Sequence, residues 1–194
     1  MILGITGGSG CGKTTVLTVL KDWGALVLDC DAIYHRLLRR DEALLRAIEG
    51  RFPGCVKNGC LDRKALGSIV FSNDTALLDL NRITHAAVKE EVLRQLEQRP
   101  ALAAIDAIAL FEGGLAPLCD VTVAVTAPEA LRIARIMTRD GIDEAAAKLR
   151  LSAQKDNAYF ESLCDYTLQN NGTAAEFYEK CLAFFRHLDI IKEN

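Results

Sequence analysis

The first residues whose types and spacing could do chemistry form the glycine-rich segment GGSGCGKT at positions 7–14. It matches the pattern G-x-x-x-x-G-K-[ST], in which backbone N–H groups converge on the phosphates of a nucleoside triphosphate. In that pattern Lys13 reaches the β- and γ-phosphates, and Thr14 offers its hydroxyl to Mg²⁺. A strand-like run precedes the segment and a helical pattern follows it, as the motif requires. We therefore predict a triphosphate-binding loop rather than a plain glycine-rich turn.

The loop predicts the phosphate donor and leaves the acceptor open, because GTPase switches, ATP-driven machines and small-molecule kinases all use such loops. A GTPase would normally carry a D-x-x-G switch and an N-K-x-D guanine motif. Neither pattern occurs in the sequence. The GTPase interpretation therefore loses support.

Two carboxylates, Asp29 and Asp31, stand where the second predicted strand ends and a helix begins. A kinase that acts on a hydroxyl needs a group that orients the hydroxyl and accepts its proton, and an aspartate here suits that task. Either residue could instead cap the following helix and do nothing chemical. Position alone leaves both interpretations open.

Five basic residues lie on two predicted helices between positions 129 and 154: Arg132, Arg135, Arg139, Lys148 and Arg150. Such charges usually form a solvated helix face. In a nucleotide kinase, however, a helical hairpin with arginines can close over the phosphates and exclude water. Arg135 and Arg139 are one helical turn apart, so we expect them to share a face.

The elements that must position these residues alternate between strand and helix. Strand-like runs occur at 2–6, 25–29, 101–110, 120–126 and 165–170. Helical patterns occur at 14–24, 32–40, 127–141, 143–156 and 173–188. From 41 to 99 the pattern is helical almost throughout, with turns at 52–54 and 57–59, which indicates a helical insertion. The order predicts an α/β fold with a largely parallel sheet, in which ligands gather at the carboxyl ends of the strands.

Composition narrows the class of protein further. A chain of 194 residues, half hydrophobic and a quarter charged, is typical of one compact domain. The net charge of −3 argues against a nucleic-acid partner. No signal peptide or membrane-spanning run is evident, so we expect a cytoplasmic protein without a membrane partner. The seven cysteines contain no C-x-x-C pair and suit neither a disulfide framework nor a zinc site, while Cys11 is a candidate for oxidation within the loop.

Several separated motifs resemble those of the dephospho-CoA kinases, in the family's order. They are GITGGSGCGKTT (4–15), LDCDAIYHRLL (28–38), LDRKALGSIVF (61–71), THAAV (84–88), LFE (110–112), ARIMTRDG (134–141), RLSAQ (150–154) and DYTLQNNG (165–172). The resemblance implies a three-layer α/β/α P-loop NTPase fold with a central parallel sheet, a helical substrate-binding insertion and a helical lid. It implies a core of 1–31, 99–130 and 163–194, a CoA-acceptor subdomain at about 32–98 and a lid at about 131–162. The implied reaction is phosphorylation of the ribose 3′-hydroxyl of dephospho-CoA by ATP with Mg²⁺, which yields CoA and ADP.

By matching position, the resemblance implies that Asp31 is the catalytic base, assisted by Lys13 and Arg139, and that Thr14 is the metal ligand. The implied ATP-binding residues are Gly8, Ser9, Gly10, Cys11, Gly12, Lys13, Thr14, Thr15, Arg135, Arg139 and Asn170. The implied acceptor-binding residues are Thr6, Asp31, His35, Arg63, His85 and Glu112. The alternatives are another P-loop kinase, acting on a nucleoside, nucleotide or sugar, and a nucleotide-dependent regulatory module. The sequence makes no prediction of oligomeric state.

The sequence departs from the family pattern at two motifs near the expected acceptor site. Where the family usually has His-Pro, this chain has His85-Ala86, which predicts a looser turn or helix start there. Where the family has P-L-L-F-E, this chain reads IALFE at 108–112. Neither departure touches the phosphate loop or Asp31.

Overall fold

In the computed structural model, which describes residues 1–191, a central parallel sheet of five strands has helices on both sides. The strands are β1 (Ile2–Thr6), β2 (Leu26–Asp29), β3 (Val56–Lys57), β4 (Cys60–Leu61), β5 (Ala103–Asp106), β6 (Val121–Thr126) and β7 (Tyr166–Gln169). The α-helices are α1 (Lys13–Asp22), α2 (Cys30–Arg40), α3 (Glu42–Arg51), α4 (Arg63–Val70), α5 (Asp74–Leu96), α6 (Glu129–Asp140), α7 (Glu144–Ser152), α8 (Asn157–Leu163) and α9 (Ala174–His187). The order across the sheet is β2-β5-β1-β6-β7. The predicted three-layer P-loop fold is therefore confirmed.

The chain divides into two compact units. The core unit contains Met1–Val27, Pro100–Leu110 and the described residues from Ala116 onward. The helical unit contains Leu28–Arg99 and Phe111–Leu115. The residues predicted to form the lid, 131–162, belong to the core unit in this division. Of the predicted core segment 163–194, the last three positions lie outside the described residues.

The buried centre of the core unit lies between the sheet and the helices α1 and α9. β1 pairs in parallel with both β5 and β6, so it occupies the middle of the sheet. Its Leu3 and Ile5 are fully buried in one apolar cluster with Val19 of α1 and Phe185 of α9. This packing holds the end of β1, and therefore the start of the glycine-rich segment, in a rigid frame.

The strand predicted at 101–110 is wrong in length, since β5 ends at Asp106. Residues 107–110 form turns, although Ala107 and Leu110 remain buried. An apolar run shows that a segment is buried and does not distinguish a strand from a buried turn. The helix predicted at 143–156 is likewise shorter, because α7 ends at Ser152 and the side chain of Asp156 then caps the separate helix α8.

The helical unit contains a β-hairpin that the helical pattern did not predict. β3 and β4 pair in an antiparallel manner, with Lys57 opposite Cys60. The two residues between them, Asn58 and Gly59, have φ of 53° and 75°. Positive φ at both positions is the mark of the Asn-Gly hairpin turn. The turn at 57–59 was predicted from the sequence, and the two short strands that it joins were not.

α5 is one continuous helix of 23 residues, and its buried Ala76 and Leu80 belong to the apolar core of the helical unit. His85 and Ala86 lie in its interior, so the looser turn or helix start expected at this position is wrong. An alanine here avoids the backbone clash that a proline would introduce into the middle of a helix. Across residues 1–191, no helix combines the length and the apolar character needed to cross a membrane.

Candidate active site

The glycine-rich segment connects β1 to α1 as a tight loop whose shape depends on its glycines. Three of these glycines have positive φ, a backbone conformation that residues with a Cβ rarely adopt. The values are 139° at Gly7, 77° at Gly10 and 104° at Gly12. A Cβ on Gly12 would also collide with the side-chain amide of Asn170. No side chain caps the start of α1, and Thr15 donates its N–H to the Gly12 carbonyl at 3.0 Å, so the N–H groups of Lys13 and Thr14 are the ones that an anion could reach. The segment thus joins a strand to a helix through positive-φ glycines, as the motif requires, and phosphate binding stays a prediction.

Lys13 and Thr14 occupy the first turn of α1. The Lys13 ammonium donates to the carbonyl oxygen of Gly7 at 2.9 Å, so its side chain bridges the loop. Thr14 is exposed, and Thr15 behind it is half-buried. The cation and the exposed hydroxyl therefore lie together at the mouth of the loop, in the order expected for phosphate and metal.

Cys11 lies inside the loop, and only 1% of it is exposed. Burial raises the pKa of its thiol, and the nearby Lys13 ammonium only partly opposes this effect. Oxidation requires an accessible thiolate, so the expected oxidation-sensitive role of Cys11 is not supported in this conformation. What Cys11 contributes to the site is its backbone, because its carbonyl oxygen accepts a hydrogen bond from Asn170 at 2.9 Å.

Arg135 and Asn170, both predicted to bind ATP, meet at the loop. The Arg135 guanidinium donates to the Gly10 carbonyl at 3.2 Å, to the Asn170 side-chain oxygen at 3.0 Å and to the Gly172 carbonyl at 3.3 Å. Asn170 is 4% exposed, and its own backbone N–H donates to Thr126 at the end of β6. This network joins α6, the loop and the residues after β7 around the place where a triphosphate would bind.

Arg139 makes different contacts from Arg135. Two of its N–H groups donate to the carboxylate of Asp140 at 2.7 and 2.9 Å, and Arg150 pairs with the same carboxylate. The hydrogen bond from Arg139 is the main cause of the lowered pKa of Asp140. The structure thus separates the two arginines that were expected to act from one face, since only Arg135 contacts the loop.

Arg132 is the arginine that the sequence analysis did not select. It is 5% exposed, and its Nε–H donates to the Ser9 carbonyl at 2.9 Å. Arg132 precedes Arg135 by three residues, and residues three or four apart share a helix face. By this spacing Arg135 can share a helix face with Arg132 as well as with Arg139, so spacing alone does not favour either pair.

Asp106 is a second residue that the sequence analysis missed. It ends β5, directly opposite Ile5 of β1, and its charge acts on the Cys11 thiol. An aspartate at the end of the strand next to a phosphate loop is the usual partner of the loop threonine in holding Mg²⁺. The sequence did contain a signal for this residue, because Asp106 ends the buried apolar run AAID.

The two aspartates after β2 have different local roles. The carboxylate of Asp29 accepts the backbone N–H of Ala32 at 2.8 Å and caps α2. Asp31 lies exposed in the first turn of that helix. The capping role therefore belongs to Asp29, which leaves the Asp31 carboxylate available for chemistry.

The other residues expected at the acceptor site fall into both units. In the core unit Thr6 is fully buried, and its hydroxyl donates to the Ile108 carbonyl at 3.4 Å, which is a structural contact. In the helical unit the rings of His35 and Tyr34 lie 5.4 Å apart between centroids with a 43° tilt, and the Arg63 charge acts on Tyr34. His85 is half-buried in α5.

Glu112 lies exposed in the segment Phe111–Leu115 of the helical unit.

Comparison with known proteins places the chain in a family. The family model for dephospho-CoA kinase (CoaE) matches residues 1–176. The dephospho-CoA kinase of Syntrophotalea carbinolica is 34% identical over 194 residues, a match that covers 97% of this chain and 92% of the relative.

Solved structures agree with this placement. The Thermus thermophilus protein TT1252 has a TM-score of 0.81 at 32% identity, covering 100% of this chain and 98% of that one. The dephospho-CoA kinase of Campylobacter jejuni has a TM-score of 0.67 at 28% identity, covering 96% of each chain. The chain therefore belongs to the dephospho-CoA kinase family.

Proposed function

We propose that this protein transfers the γ-phosphoryl group of ATP to the ribose 3′-hydroxyl of dephospho-CoA, yielding CoA and ADP in the last step of coenzyme A synthesis. The observation that carries the proposal is the family match over residues 1–176, which includes both the phosphate loop and the helical unit. A loop of this kind alone would fit any P-loop kinase. The match across the helical unit is what favours this acceptor over a nucleoside, a nucleotide or a sugar.

On the donor side, we assign the triphosphate to the loop residues Gly8–Thr15. The loop N–H groups and the uncapped start of α1 bind phosphate oxygens, and Lys13 neutralises the charge that develops during transfer. Arg135 and Asn170 bind the ATP, Arg135 beside the phosphates and Asn170 near the adenine, and their shared network at the loop supports a common role. Arg139 acts from the lid once it exchanges Asp140 for a phosphate oxygen.

For Mg²⁺, the residues present fit the ion. The exposed hydroxyl of Thr14 and the carboxylate of Asp106 are oxygen ligands, and Mg²⁺ prefers one or two of these together with phosphates and water. When bound, the ion would offset the negative charge of the phosphates during transfer. The protein's own contribution is to place the Thr14 hydroxyl at the start of α1 and the Asp106 carboxylate at the end of β5.

On the acceptor side, we propose Asp31 as the base that orients the 3′-hydroxyl and accepts its proton. Its exposure and its freedom from the capping role support this assignment. The helical unit, which corresponds to the expected subdomain at about 32–98, binds the rest of dephospho-CoA through His35, Arg63, His85 and Glu112. Thr6, expected at the acceptor site, is retained in the proposal as a structural residue, since it is buried and its hydroxyl donates to the Ile108 carbonyl. Small molecules rather than nucleic acid or membranes are the proposed partners, in keeping with the net charge of −3.

Transfer of ³²P from γ-labelled ATP to dephospho-CoA tests the proposal directly. We expect a labelled product that comigrates with CoA and carries its new phosphate on the ribose 3′-position, identified by ³¹P NMR. Parallel reactions contain adenosine, AMP, shikimate or no acceptor. Faster transfer to one of those acceptors would support another P-loop kinase, and ATP hydrolysis without transfer would support a regulatory module.

A further inference from the structure

Arg132 is a buried arginine whose charge faces the phosphate loop from outside. Arginine is rarely this buried unless its donors are satisfied. Besides its 2.9 Å bond to the Ser9 carbonyl, Arg132 directs N–H groups to the side-chain oxygens of Asn157 at 3.4 Å and Gln154 at 3.5 Å. Asn157 in turn donates to the Ala127 carbonyl just after β6. The guanidinium is therefore anchored on one side to Asn157 at the start of α8 and on the other to the loop.

Gln154 completes the hold on Ser9. Its side-chain oxygen accepts the Ser9 backbone N–H at 2.9 Å, and its side-chain nitrogen donates to the Ser9 hydroxyl at 2.8 Å. Together with Arg132, it engages the N–H, the hydroxyl and the carbonyl of one loop residue. These three contacts fix both the position and the orientation of Ser9.

Two loop glycines pack directly against Arg132. A Cβ on Gly8 would collide with the guanidinium, whose Cζ atom would lie 2.9 Å away, and a Cβ on Gly10 would lie 2.7 Å from the Arg132 carbonyl oxygen. Gly8 does not have a positive φ. Its lack of a side chain is therefore explained by the close approach of Arg132 and not by backbone strain.

We propose that Arg132, with Gln154, is a positioning residue that orders the phosphate loop before the nucleotide arrives. This inference rests on the ATP site of the proposed function and assigns a residue to its preparation. A loop already held in its binding shape loses little conformational freedom when the phosphates bind, so more of the interaction energy is available as affinity. Because Arg132 and Gln154 flank α7, the contact also couples the predicted lid segment to the loop.

Binding of Mg²⁺-ADP, measured by titration calorimetry without any acceptor, tests the proposal. Arg132→Met removes the charged donor to Ser9. Because hydrogen bonds to charged groups are among the stronger ones, its loss should raise the Kd for ADP about tenfold. Arg132→Lys keeps one donor and should recover part of that loss. Arg186→Met removes an exposed arginine from the last turn of α9 and should leave the Kd unchanged.

Two further variants extend the test, and Gln154→Ala keeps it valid if Arg132→Met folds poorly. Gln154→Ala leaves the buried charge in place and should also weaken ADP binding, by about threefold. Gly8→Ala should weaken binding in the wild-type background and add little in the Arg132→Met background, because the methyl group then has room. Circular dichroism measures the folded fraction of each variant, and multiplying the apparent Kd by that fraction gives the Kd of the folded form.

Three results would overturn the proposal. They are an ADP Kd within about twofold of wild type in folded Arg132→Met, equal values for the Met and Lys variants, or an equal effect of Gly8→Ala in both backgrounds. Since the titration contains no dephospho-CoA, it remains informative if the proposed acceptor is wrong. Failure of transfer with normal ADP binding would count against the proposed function alone.

Discussion

Asp29 and Asp31 are two residues apart, and we predict that one acts only on stability and the other only on catalysis. The Asp29 carboxylate accepts the Ala32 N–H at 2.8 Å as the cap of α2. Replacing such a cap by alanine costs about 1 kcal/mol, which lowers the Tm of a chain of this size by about 2–4 °C. Asp31→Asn preserves the shape of an exposed side chain and removes the proposed base, so kcat should fall by about 10²–10⁴-fold without a change in Tm.

The assay combines thermal unfolding with initial rates of CoA formation and titration of ADP binding on the same preparations. Asp29→Ala should lower the Tm and retain most of the wild-type kcat, while Asp29→Asn, which can still cap the helix, should restore the Tm. Asp31→Asn should keep its ADP affinity. Full activity in Asp31→Asn, or a loss of kcat in Asp29→Ala equal to that in Asp31→Asn, would refute the division of roles.

Three further predictions concern other parts of the molecule. Lys13→Ala should weaken ATP binding and lower kcat/KM together, and wild-type values for both would remove Lys13 from the site. Gly12→Ala places a Cβ at φ 104° and should destabilise the protein by about 1–3 kcal/mol in urea unfolding, whereas an unchanged midpoint would contradict the loop geometry. Hydrogen bonding and charge from Arg94, with Gln95 and Arg36, hold the pKa of Glu91 at about 2, below its ordinary value of 4.5. The ionised Glu91 carboxylate therefore adds to the free energy of unfolding above pH 4.5, and this contribution is lost as the pH falls toward 2. Glu91→Gln should lower the free energy of unfolding at pH 7 and have little effect on it near pH 2.

Much of the fold was predictable because its signals are local. The strands β1 and β6 coincide with short apolar runs, and β7 coincides with the strand-like run at 165–170. The helices α1, α6 and α9 coincide with helical periodicity between clear breaks. The errors occurred where a local pattern has two solutions. Residues 107–110 are as apolar as a strand and form buried turns, and the Asn-Gly turn at 58–59 joins strands of only two residues each, too short for any periodicity to reveal.

The sequence by itself determined the phosphate loop, because GGSGCGKT is contiguous and its glycines satisfy backbone angles that few other residues adopt. It also determined the order of the elements that carry the loop. Only the tertiary structure decided which side chains act on it. Arg132 and Gln154 reach Ser9 across 123 and 145 positions of sequence, and Asp106 comes beside the loop through the pairing of β5 with β1. Helical spacing ranks Arg132, Arg135 and Arg139 alike, and only the packing of α6 against the loop gives each arginine a different partner.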